Sequence, residues 1–183
     1  MNSSRARMTK LHPFLSTVVL ILPLLVAGSL PAQETLLSIA QQEGVEWIVG
    51  KWTGTNSEGR SVALEYEWEL DGHALEIDLT MGAESYKGMI ALQPTDSRAV
   101  EFGADSSGGV TRATWRVQDG LVISDRTGTR SDGREIKIAV VNKKVDADTV
   151  IATVHSYAAN GELSTEVLDT VTLKRVSAAD TED

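Results

Sequence analysis

The chain has 183 residues, no cysteine, and 17 basic against 26 acidic residues, for a net charge of −9. Length of this order fits one domain. The missing thiols exclude disulfide stapling, thiolate metal sites and a cysteine nucleophile. The acidic balance repels phosphate backbones, so no nucleic-acid partner is expected.

The first 32 residues read as a signal peptide. Arg5, Arg7 and Lys10 open it, an apolar run from Phe14 to Leu30 follows, and Ala32 offers a small residue before Gln33. The alternative is a retained membrane anchor, for which the run is at the short limit. With no cysteine after the run, a lipoprotein anchor has no attachment point. Cleavage would remove three basic residues and no acid, leaving 14 basic against 26 acidic and a net charge of −12. The expected location is periplasmic or extracellular, with no membrane partner after cleavage. Residues 33–176 are expected to form the domain, and residues 177–183 a disordered acidic tail.

Residues 34–44 predict a short amphipathic helix, with Leu36, Leu37, Ile39 and Ala40 apolar and Gly44 near its stop. A first strand is expected around 51–55. In 62–70, Val62, Leu64, Tyr66, Trp68 and Leu70 alternate with Glu65, Glu67 and Glu69, which is the period of a strand with one buried face. Asp71-Gly72 breaks the run, and Leu75, Ile77 and Leu79 resume against Glu76 and Asp78 over 74–81. Further strands are expected over 86–92, 98–104, 110–117, 121–126, 135–143, 149–157 and 165–175. Asp119-Gly120, Asp132-Gly133 and Asn160-Gly161 separate several of them with residues that accept positive φ cheaply. No long helical pattern lies between the strands, so a parallel sheet is not expected. The fold class that follows is all-β: an antiparallel up-and-down barrel of about ten strands with a short N-terminal helix. Closure buries one face and hides the sheet edges. A two-sheet sandwich is the alternative.

"IVGKWTGT", residues 48–55, resembles the opening of lipocalin-type barrels, in which a Gly-x-Trp follows a short helix. Gly50 and Trp52 are the matching pair, while Val45 stands where lipocalins carry an asparagine. The resemblance implies that Trp52 closes the barrel base against the helix. "YEWELDGHALEIDL", "YKGMIALQPTDSRAVEFGADSSGGV" and "ATWRVQDGLVISD" resemble, across most of the domain, a bacterial lipocalin-like (calycin-type) family of unknown function. The Gly-x-Trp-x-Gly opening is more distantly similar to the nitrobindins, barrels that bind haem through a late histidine. That similarity implies His155 as a haem ligand.

Trp52, Tyr66, Trp68, Phe102 and Trp115 form an aromatic set expected to face inward. They would line a pocket or pack a solid core. Asp169 is in phase with Val167, Val171 and Leu173, so it reads as a buried polar anchor with Arg112 or Arg116 as its donor, or as a residue turned outward by a bulge. His155 is in phase with Ile151 and Tyr157, yet Val150, Ala152 and Val154 make the more apolar face and would turn it outward. His73 belongs to a hairpin turn. The carboxylates of 65–78 share the outward face, and the segments 105–109 and 125–133 lack the ligand spacing of a calcium loop. No metal site and no catalytic constellation is legible. The sequence therefore points to an exported, non-catalytic binding protein for a small apolar or amphipathic ligand, with a haem or nitric oxide barrel, or a solid-core interaction domain, as alternatives.

Overall fold

The computed structural model describes residues 34–177, so the signal peptide expected over 1–32 and all but the first residue of the expected tail lie outside the described residues. Ten antiparallel strands form a closed barrel. They are β1 (Gly50–Asn56), β2 (Ser61–Glu69), β3 (Ala74–Met81), β4 (Glu84–Gln93) and β5 (Arg98–Asp105). The second half holds β6 (Val110–Gln118), β7 (Leu121–Thr129), β8 (Glu135–Lys144), β9 (Thr149–Tyr157) and β10 (Leu163–Arg175). Each strand pairs with its chain neighbour, and β1 also pairs with β10, with Gly54 opposite Leu173. That last pairing makes the meander a barrel and rules out the sandwich.

The strands follow the alternation of the sequence. Val62, Tyr66, Leu75 and Ile77 are buried in the interior, while Glu65, Glu67, Glu76 and Asp78 stand on the outside. Lys87 bridges Asp78 at 2.7 Å and Glu76 at 3.4 Å on that outer face. Such exposed pairs contribute little to stability. Leu70 departs from the expected pattern. It leaves the strand, takes positive φ together with Asp71 and Gly72, and is 71 % exposed in the turn.

One end of the barrel carries the helix. The helix α1 (Leu36–Gln42) starts at a capping box in which Thr35 and Ser38 satisfy each other's backbone N–H. Leu37 packs onto the turn at Gly72, where an added Cβ would lie 2.8 Å from Leu37 Cβ. A 3-10 turn over Glu46–Ile48 then delivers the chain to β1. Trp52 is buried there, and its indole N–H donates to the Ile48 carbonyl at 2.8 Å. The Arg175 guanidinium stacks on that indole at 4.1 Å and donates to the carbonyls of Val49 and Trp47 at 2.8 and 2.7 Å. Trp52 thus ties the 3-10 turn, first strand and last strand together.

Candidate functional site

Halfway along the barrel the inward alternation brings polar side chains together. Ala99, Glu101 and Gly103 of β5 point inward, opposite Ala113 and Trp115 of β6. The β6–β7 register then places Arg126 beside Ala113 and Ser124 beside Trp115. The Glu101 side chain is fully buried. One of its carboxylate oxygens accepts from the Tyr86 hydroxyl. The other accepts from the Trp115 indole N–H at 2.7 Å and from Arg126 Nη2 at 3.1 Å. Arg126 Nε donates to the Ser124 hydroxyl at 3.0 Å. The guanidinium also sits 5.8 Å from the Tyr86 ring centre and 5.6 Å from that of Trp115, within reach of cation–π attraction. Tyr66 meets Trp115 edge-on, with ring centres 6.2 Å apart.

Small residues make room for this layer. Gly88 and Gly103 are register partners on β4 and β5, and the Tyr86 ring lies across both. A Cβ at Gly88 would be 2.8 Å from the Tyr86 hydroxyl, and one at Gly103 would collide with it. Burial pushes the Tyr86 phenol well above its ordinary pKa, and the adjacent Glu101 charge adds to the rise. Burial likewise raises Tyr66. Both phenols therefore remain protonated at neutral pH, and Tyr86 stays a donor to Glu101.

The polar layer divides the interior. On the helix side lies an apolar cavity of about 270 Å³. Its walls are Trp68, Leu75, Ile90, Leu92, Trp115 and Val122, and Leu36, Ile39 and Ala40 of α1 cover it. Glu43, Arg98 and Arg116 stand at its edge. On the other side an open vestibule of about 470 Å³ is floored by Tyr86 and Arg126.

The aromatic set expected from the sequence is dispersed. Trp68 and Trp115 line the helix-side cavity. Tyr66 is buried at the polar layer, and Trp52 belongs to the base at the helix-bearing end. Phe102 corrects the expectation: it is 56 % exposed on the outer face, with Arg112 stacked 5.9 Å above its ring. The reason is phase. Val100 and Phe102 are the larger apolar residues of β5, but the inward positions go to Ala99, Glu101 and Gly103, which build the polar layer.

Asp169 keeps the inward phase of Val171 and Leu173, although a register shift between Val167 and Asp169 takes Val167 out of it. Its donors are Asn56 Nδ2 at 3.0 Å, the Ser57 backbone and hydroxyl, and the Thr170 backbone N–H at 2.7 Å, not Arg112 or Arg116. Burial works to raise the Asp169 pKa, and these hydrogen bonds outweigh it and hold the carboxyl below its ordinary value. Asp169 is thus a clasp between β10 and the β1–β2 turn, apart from both cavities. His155 pairs across the sheet with Ala139 and Val167, opposite in phase to the inward Val154. Its ring nitrogens lie 2.9 Å from Thr153 Oγ1 and 3.0 Å from the Ser164 carbonyl. An interior axial ligand needs an inward ring with a free nitrogen, and His155 has neither in this geometry. His73 follows the turn at 70–72, as its place in the hairpin suggested.

Sequence reasoning missed Tyr86, Glu101, Ser124 and Arg126. The signal that could have found them is the run of small inward partners, Gly88, Ala99, Gly103 and Ala113, which marks where large polar groups must fit.

A closed ten-stranded antiparallel barrel fits the calycin, or lipocalin-like, fold. Searches against protein-family models and curated proteins return no match.

Proposed function

We propose that this chain is an exported, non-catalytic binding protein that holds a small apolar or amphipathic molecule in the barrel, beneath α1. The observation that supports it is the apolar cavity of about 270 Å³ between the helix and the polar layer. It exceeds the roughly 150 Å³ at which a dry apolar cavity already admits benzene. It lies near the lower edge of ligand pockets, which run from about 300 Å³ upward, so the ligand is small. The polar end of an amphipathic ligand would lie at the edge formed by Glu43, Arg98 and Arg116.

The test is a fluorescence titration with N-phenyl-1-naphthylamine, a neutral apolar probe. Trp68→Ala removes a wall of the cavity and weakens binding several-fold, and Ile90→Trp fills the cavity and abolishes it. Glu67→Ala, on the outer face, leaves binding unchanged. Equal effects of Trp68→Ala and Glu67→Ala would sink the reading.

A further inference from the structure

The end of the barrel opposite the helix carries a second feature that the helix-side cavity does not use. Its vestibule of about 470 Å³ has apolar walls that include Leu79, Val110, Ile136 and Ile138, and Arg126 reaches its floor. The Arg126 side chain is only 15 % exposed. Its Nε is bound to Ser124, its Nη2 to Glu101, and its plane is held near the faces of Tyr86 and Trp115. Nη1 has no partner among the described residues. Yet among those residues no sealed-off side-chain nitrogen or oxygen lacks a hydrogen bond. Nη1 therefore retains an open side, and the vestibule is the space that Arg126 lines.

A guanidinium fixed in this way donates to a ligand at low entropic cost, because its rotamer is already set. The charge of the site then selects the ligand. Glu101 already cancels the Arg126 charge, and the vestibule rim holds Glu84, Asp105 and Asp132 against Arg130, with Arg134 paired to Asp132 at 2.7 Å. A carboxylate would pass an acidic rim to reach a floor with no net positive charge, and burying it there without a counter-ion is costly. A neutral acceptor such as an amide or ester carbonyl takes the same N–H without that cost.

We propose that the open vestibule is a second binding site, separate from the helix-side cavity, for an uncharged amphipathic molecule whose carbonyl accepts from Arg126 Nη1 while its alkyl part lies on Leu79, Ile136 and Ile138.

The experiment compares octanamide with octanoate at neutral pH by ¹H–¹⁵N NMR of the purified protein, reading the Arg126 Nε–H and the backbone amides. Octanamide is expected to shift Arg126, Gly128 and Ile138, and octanoate to bind at least tenfold more weakly. The blocking variant is Gly128→Leu. Gly128 lies one residue before the end of β7 with ordinary φ, and an added Cβ meets only Thr111 Oγ1 at 3.5 Å and the Val110 carbonyl oxygen at 3.7 Å. That variant, or Thr111→Leu should the first fail to fold, abolishes the octanamide shifts. Trp68→Ala leaves them unchanged, which separates this site from the one beneath α1. Octanoate binding as tightly as octanamide, octanamide shifts absent or confined to the helix end, or shifts that survive both blocking variants would each overturn the proposal.

Discussion

Replacing Arg126 by methionine strands the Glu101 carboxylate, and its cost can be worked from the geometry. The Glu101 side chain is wholly buried, and Arg126 supplies its one ionic partner among the described residues. Removing one member of a buried pair costs about 3–5 kcal/mol, because the remaining charge keeps its desolvation penalty. Glu101 would retain the Tyr86 and Trp115 donors, and water could follow the shortened side chain in from the vestibule. The expected loss is therefore at the lower end, about 3 kcal/mol. For a domain of this size that lowers Tm by roughly 6–12 °C. Urea unfolding of four proteins checks it: wild type, Arg126→Met, Glu101→Gln and the double variant. In the double variant the amide oxygen accepts from Trp115, the amide nitrogen donates to Tyr86, and no charge is buried. It should be more stable than Arg126→Met, with a coupling of about 2 kcal/mol, within the range for residues in contact. A loss below about 1 kcal/mol in Arg126→Met, with no recovery in the double variant, would refute an ion-paired layer across the barrel.

Two further outcomes follow from the same layer and from the tyrosines. Gly103→Ala drives a methyl group into the Tyr86 hydroxyl, so it should cost about 1–3 kcal/mol in urea unfolding; unchanged stability would mean that Tyr86 does not lie over Gly103. All three tyrosines, Tyr66, Tyr86 and Tyr157, are raised above their ordinary value of 10.0, each by burial first. Tyr157 is pushed up to about 12, with its hydrogen bond to Asp125 adding to burial. A raised folded-state pKa contributes stability that is complete below the unfolded value and is lost above it. The barrel should therefore hold its stability up to pH 10 and lose it progressively between pH 10 and 12, read by thermal melts beside phenolate absorbance. Phenolate appearing at pH 10 in the still-folded protein would contradict the burial assigned to these rings.

The barrel was legible because its evidence is local. Alternation in "VALEYEWEL" and turn chemistry at Asp71-Gly72 and Asp119-Gly120 act over a few residues, and the strands begin and end close to where those signals place them. The short helix was legible for the same reason, although its capping box and the 3-10 turn after it depend on hydrogen bonds that the apolar pattern does not carry. The candidate site resisted because an apolar-in rule assigns phase by hydrophobicity, and here the interior is polar at its middle. In "RAVEFGAD" the rule chooses Val100 and Phe102, whereas register with Trp115 on β6 chooses Ala99, Glu101 and Gly103.

Asp169 resisted for a different reason. Its inward phase was legible, but its partners on the β1–β2 turn lie 112 and 113 residues away, and only barrel closure brings them together. Closure also explains why one barrel presents two different ends. A ten-stranded ring is wide enough to leave space that side chains do not fill. A layer built from Tyr86, Glu101, Trp115 and Arg126 spans that space only because Gly88 and Gly103 clear room for the tyrosine ring. Once the layer is in place, the space beneath the helix is bounded mainly by apolar side chains and the space above it by a fixed guanidinium edge. An apolar ligand would gain from the first by leaving water, and an acceptor would gain from the second by meeting a donor already held in position.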